Sequence, residues 1–145
     1  MVKVLSIDPG KYKCGLVLAE ISEQKVYKAI VLKSEILEDY VTDLNSVEDI
    51  SKIIIGNGTS SSEIKKKLDF LKKEIITFEE KNTTYRAKHR YFELFPISGL
   101  KSLIPREIFI IKKNLDAISA LIILEDYCKE KFSFKQNIDV KTWLK

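Results

Sequence analysis

Residues 5–15 read LSIDPGKYKCG: an apolar run closes on Asp8, Pro9-Gly10 follows, and Gly15 lies in a second apolar run that extends to Glu20. The pattern predicts a strand, a tight connection and an antiparallel second strand. A carboxylate on the last residue of a strand is held rigidly at a sheet edge. Gly10 has no side chain to keep a phosphate or a metal ion out of the loop, and Gly15 lets the second strand return closely against the first. Asp-Pro-Gly is also ordinary turn chemistry. By itself the stretch leaves a binding loop and a plain hairpin both open.

Outward from this stretch, Val2–Asp8, Cys14–Glu20 and Lys25–Leu32 are three β-rich runs joined by short turns, the pattern of an antiparallel meander. Ser34 is placed to N-cap a helix through about Val47, with Ile36, Leu37, Tyr40 and Val41 on one side. Lys52–Ile55 is a short apolar strand closed by Gly56-Asn57-Gly58. Thr59 or Ser60 then caps a helix carrying Ile64, Leu68 and Leu71. Glu74–Phe78 is a further strand, Asn82 or Thr83 caps a helix through about Phe92, and 95–107 is a loop with Pro96, Gly99 and Pro105. Leu115–Tyr127 is a strongly apolar helix. Residues 131–145 form a tail that Trp143 can pin to the body. The order β-β-β-α-β-α-β-α-α predicts an α/β fold: a mixed five-stranded sheet with helices on both faces. Residues 1–130 form one domain and 131–145 a tail packed on it or extending from it. In this topology the carboxyl ends of the first, fourth and fifth strands gather on one edge, where α/β proteins place their sites.

The chain has 145 residues, 45% hydrophobic and 32% charged, the size and balance of one globular domain with its own core. No apolar run approaches the roughly 20 residues of a membrane span. The strand pattern begins at the N-terminus with no secretory signal before it. Cys14 and Cys128 are far apart without ligand spacing, so free thiols in a reducing, cytoplasmic setting are expected. The net charge is +4, and Lys81, Arg86, Lys88 and Arg90 fall within ten residues that hold no acid. Such a field favours a polyanionic partner, and a solvated helix face is its plainer reading.

Three acids stand at the ends of separate elements: Asp8, Glu80 and Asp116. Each has an ordinary structural reason to be there; an acid in a first helical turn is expected from the helix dipole alone. Together they can converge on one edge, where crowded carboxylates repel unless a cation neutralises them. Hard cations such as Mg²⁺ or Mn²⁺ suit them, one ion or two, with water and substrate phosphate completing the shell. Gly10, Asn57 and Thr59 are candidate phosphate contacts, the last two in a backbone nest at a helix start that reads equally as a plain turn. Lys81, Thr83, Thr84, Arg86, Lys88 and Arg90 would line the strand path, with Lys112 and Lys113 ahead of the Asp116 helix. Tyr85 and Tyr91 could stack on bases, although aromatics on such helices more often join the core. His89, the single histidine, sits in a basic setting and reads as a surface residue.

LSIDPGKYKCGLVLAE, IIIGNGT, EEKNTTYRA and NLDAISALIIL resemble, in order, the motifs of the YqgF/RuvX branch of the RuvC-like nucleases, over about residues 3–127. The resemblance implies an RNase H-like fold and a Holliday junction resolvase or a pre-16S ribosomal RNA nuclease. It puts the family's first-strand Asp at Asp8, the Glu of its D-E-R-x-T-T motif at Glu80, and its late Asp at Asp116. The motif's Asp and Arg are Glu79 and Lys81 here, and lysine lacks bidentate phosphate geometry. Ser119 stands where RuvC itself has a further Asp, and Gly56-Asn57-Gly58-Thr59 is similar to the YqgF-like domain of the transcription accessory protein Tex. The expectation is therefore a metal-dependent endonuclease acting on branched DNA or structured RNA, as a monomer or homodimer. The alternative is a non-catalytic nucleic-acid-binding module of the Tex type. A sugar kinase or ATPase of the actin-like type also opens on an Asp-x-Gly hairpin, but closes two such domains on its nucleotide, and this length supplies one.

Overall fold

The computed structural model describes residues 2–79, 83–95, 115–135 and 141–143. Strands β1 (Lys3–Asp8), β2 (Lys13–Glu20) and β3 (Lys25–Lys33) form the antiparallel meander. Helix α1 (Leu37–Val47) crosses to β4 (Ile50–Gly56), and α2 (Ser61–Leu68) crosses to β5 (Glu74–Phe78). Helices α3 (Thr83–Leu94) and α4 (Asp116–Cys128) follow. The sheet order is β5-β4-β1-β2-β3, with β4 parallel to β1 and β5 parallel to β4. The carboxyl ends of β1, β4 and β5 therefore lie on one edge.

Strand parity sorts the two cores. Leu5, Ile7, Leu16 and Leu32 face α1 and α2, meeting Leu37, Val41, Leu44, Ile64 and Leu68. Val4, Val17, Ala29 and Val31 face α4, meeting Ala117, Ala120, Leu121 and Leu124. Helix α4 is buried without interruption from Ala117 to Glu125, because the sheet covers one side and α3, through Ala87, packs on Ile118 and Ile122 of another. An apolar circumference is what a helix between two layers requires.

The structure differs from expectation in two respects. The tail contributes two short strands, β6 (Ser133–Phe134) and β7 (Lys141–Trp143), both parallel to β3, so the sheet is wider than five strands. They occupy the outer edge of β3, whose unpaired backbone groups would otherwise be open to other chains. Two- and three-residue strands carry too little periodicity to be read from sequence. Ser34 does not cap α1: it begins a 3₁₀ turn, Ser34–Ile36, and its hydroxyl instead donates to the Gly10 carbonyl at 2.7 Å. Likewise Ser60 makes no side-chain cap for α2, while the Ser61 hydroxyl donates to the Gly58 carbonyl at 2.8 Å. No described helix is long and apolar enough to cross a membrane. Both cysteines are free thiols: Cys14 is buried, and Cys128 is half-buried, its pKa pushed up chiefly by that burial.

Candidate active site

The site is built on one contact between strand and helix. Asp8 pairs directly with Gly15 across β1 and β2. A Cβ on Gly15 would lie 1.8 Å from the carbonyl oxygen of Asp116 and 2.2 Å from its carbonyl carbon. The start of α4 thus rests on the bare backbone of Gly15, and only glycine admits it there. Directly paired residues have Cα atoms about 4.5–5.5 Å apart and face the same side of the sheet. Parity agrees: Ser6, two residues before Asp8, turns its hydroxyl to the Ala120 carbonyl of α4 at 2.7 Å. Asp8 and Asp116 therefore share the α4 side of one sheet edge, both half-buried.

Burial pushes the Asp116 carboxyl above its ordinary range, and the positive charge of Lys13 opposes the shift. Lys13 is two residues from Gly15 on β2, which puts it on the same face as the acids. Sequence reading passed over it. Its signal was the alternation itself: once Asp8 is set opposite Gly15, Lys13 falls beside them.

Two loops adjoin this edge. A Cβ on Gly58 would lie 3.7 Å from Pro9, so the turn after β4 sits against the turn after β1. Asn57 and Thr59 are exposed there. The Asn57 N–H donates to the Phe78 carbonyl at 2.9 Å, which removes it from the proposed phosphate nest and ties the end of β5 to the same loop. A Cβ on Gly10 would meet the Lys13 carbonyl at 2.1 Å, so Gly10 is required by loop closure whether or not a phosphate approaches. Glu79 follows β5 directly and is exposed. Glu80, Lys81, Lys112 and Lys113 lie outside the described residues, and among the described residues no three His, Cys, Asp or Glu side chains gather as a metal-holding group.

The basic stretch on α3 is placed differently from expectation. Arg90 is 11% exposed and pairs with Glu125, while Arg86 forks onto Asp126 with both bonds at 2.7 Å. Glu125 and Asp126 lie nine and ten residues beyond Asp116 on α4, about 14 Å along its axis at 1.5 Å per residue. The charges that looked unbalanced along the sequence are matched by acids from another helix, away from the Asp8–Asp116 edge. They line a groove of about 590 Å³ with His89, Glu93 and Lys131, in which Glu93 pairs with both Arg90 and Lys131. Thr83, Thr84 and Lys88 lie on α3, Thr84 exposed and the other two half-buried. Tyr85 is exposed and meets His89 edge-on at 4.9 Å, whereas Tyr91 packs toward α4.

No family model and no curated protein matches this chain. Among solved structures it resembles T. thermophilus RuvC in complex with a Holliday junction substrate, with a TM-score of 0.54 and 10% sequence identity, over 89% of this chain and 96% of that one. At such low identity the likeness is one of architecture, and it agrees with the strand order, the crossovers and the two helical layers above: the fold is RuvC-like, a mixed sheet of the RNase H-like type.

Proposed function

We propose that this chain is a divalent-metal-dependent endonuclease of the YqgF/RuvX type, hydrolysing phosphodiesters of branched DNA or structured RNA in the cytoplasm. The observation that supports the reading is the seating of the Asp116 backbone on Gly15, the residue paired with Asp8, on the edge where this fold class places sites. The pair offers oxygen donors only, the set that Mg²⁺ or Mn²⁺ takes together with water and phosphate. A half-buried carboxyl that burial already disfavours as an anion gains from a neighbouring cation. Asp8 and Asp116, with Glu80 following β5, would hold the ion or ions. Bound there, such an ion supplies an activated water and stabilises the leaving oxygen. The chain's own part is positional: a contact that tolerates no Cβ holds the helix start at Asp116 against the strand end at Asp8 and Gly15.

The test is cleavage of a four-way DNA junction and of a structured RNA, with Mg²⁺ and Mn²⁺ binding followed by calorimetry. Metal-dependent cleavage that is lost in Asp8→Asn and in Asp116→Asn, with circular dichroism unchanged, is the expected result. Full activity in Asp8→Asn, or none in the unaltered chain on both substrates, overturns the reading.

A second reading, a non-catalytic nucleic-acid-binding module of the Tex type, is favoured by Lys13. Its positive charge partly offsets the effect of burial on Asp116, in the same sense that a bound metal would. Nucleic-acid binding with neither metal uptake nor cleavage would select it.

A further inference from the structure

We propose that the turn between β1 and β2 grips the substrate strand, with Tyr12 stacking on an unpaired nucleobase and Lys11, Lys13 and Lys33 taking the flanking phosphates. The inference rests on nucleic acid being the partner.

The need for such a contact follows from the α3 arginines, whose charges are matched by Glu125 and Asp126 and lie well along α4 from the acid pair. Among the described residues, Lys13 is the cation that acts on Asp116, and Lys11 lies on the turn that precedes it. Tyr12, four residues after Asp8, is 74% exposed. Its exposure is not that of a loose loop. The Ser34 N–H donates to the Tyr12 carbonyl at 2.9 Å, and the Ser34 hydroxyl donates to the Gly10 carbonyl at 2.7 Å. Cys14 Sγ lies 3.2 Å from the same hydroxyl, and Gly10 closes on the Lys13 carbonyl so tightly that a Cβ would stand 2.1 Å from it. A large aromatic ring is thus presented to solvent on a braced turn, the form in which stacking loses least to ordering.

Charge completes the surface. The Lys11 ammonium lies 5.3 Å from the centre of the Tyr12 ring. Lys13 and Lys33 pair directly across β2 and β3, and like charges in that register destabilise a sheet unless an anion lies by them. Asp116 lies by Lys13, and among the described residues Lys33 makes a long 4.0 Å approach to Glu35, whose side chain is 74% exposed. Three lysines, Lys11, Lys13 and Lys33, therefore lie between the acid pair and the end of β3, beside an exposed aromatic ring. That combination fits a single strand: phosphates track the cations, and a base stacks on the aromatic irrespective of its identity. A base within a continuous duplex has no free face to offer, so the substrate implied carries unpaired nucleotides close to the cleaved bond.

The experiment is fluorescence anisotropy in metal-free buffer containing chelator, so that binding is read apart from catalysis. The probes are a junction with unpaired nucleotides at its centre, a perfectly paired duplex of equal length, and the RNA counterparts of both. Tyr12→Ala is expected to weaken binding of the unpaired probes by about tenfold, within the range of alanine substitutions at base-stacking aromatics, and that of the duplexes less than about twofold. Tyr12→Phe should bind as the unaltered chain does. Lys33→Gln should flatten the slope of log K against log salt by about one unit on all probes. If the unaltered chain binds and Tyr12→Ala binds every probe equally well, this inference fails and the nuclease reading stands. Should Tyr12→Ala lose the unpaired probes while neither substrate is ever cleaved, the nuclease reading fails and the inference stands. Absence of binding to all four probes overturns both.

Discussion

Replacing Arg90 by Ala separates a basic stretch that serves the fold from one that serves a ligand. The Arg90 side chain is 11% exposed and the Glu125 side chain 9%. Nε and Nη2 of Arg90 donate to the two Glu125 oxygens at 2.9 and 2.7 Å, and Nη2 also donates to the Phe132 carbonyl at 2.7 Å. Glu125 in turn accepts the Phe132 N–H at 2.7 Å. The cluster ties α3, α4 and the chain entering β6 together. An exposed pair contributes about 0–1 kcal/mol. Removing one member of a desolvated pair costs about 3–5 kcal/mol, because the other charge stays buried without its partner. Here the Phe132 amide still serves Glu125 after the truncation, which sets the expected loss near the lower end, about 3 kcal/mol. For a domain of this size that is a fall of roughly 10 °C in the thermal midpoint. The assay is urea and thermal unfolding, alongside a salt titration of nucleic-acid binding. Arg90→Met combined with Glu125→Met removes both charges and should recover most of the loss. A cost below about 1 kcal/mol, accompanied by a salt slope flatter by about one unit, would refute the reasoning. Arg90 would then face phosphate, and Glu125 would not be its partner.

Other outcomes follow from the same geometry. Gly15→Ala drives a methyl into the Asp116 carbonyl, with a Cβ only 1.8 Å from its oxygen, and should cost about 1–3 kcal/mol or more; an unchanged urea midpoint would remove the seat on which the site depends. Burial holds the Asp116 carboxyl above its ordinary range, so the folded state disfavours its charged form. The stability associated with its proton is complete below the unfolded pKa and is lost as pH rises through the folded one. Asp116→Asn, neutral throughout, should therefore melt higher than the unaltered chain at neutral pH, with the gap closing in acid; a gap independent of pH would show that titration of this carboxyl is not the cause. Leu121→Ala, at a fully buried position where α4 meets the sheet, should cost about 2–5 kcal/mol by denaturant unfolding, and a loss under about 1 kcal/mol would mean that α4 does not pack there.

What could be read from the sequence depended on how far apart the interacting residues are. Alternation over five to nine residues is local, and β1 through β5 were all legible; Gly15 stood out as a glycine that lets β2 return against β1, whereas what requires it is the approach of α4. The tail strands were not, because β6 and β7 gain their order from the edge of β3 rather than from their own two or three residues. Ser34 looked like a cap by type, but a hydroxyl takes the acceptor that tertiary structure brings to it, and here that is Gly10. The clearest lesson concerns charge. Arg86 and Arg90 looked unbalanced only because the acids that match them stand 40 and 35 residues later. Lys13 drew no notice because acids do not crowd it in sequence, yet parity alone sets it on the face of Asp8 and Asp116. Strand pairing turns a spacing of two residues into a shared face, whereas a run of lysines and arginines says nothing about what the next helix carries. For cations near a candidate acid site in a sheet protein, register is therefore the better guide, and it points to the β1–β2 turn in preference to α3.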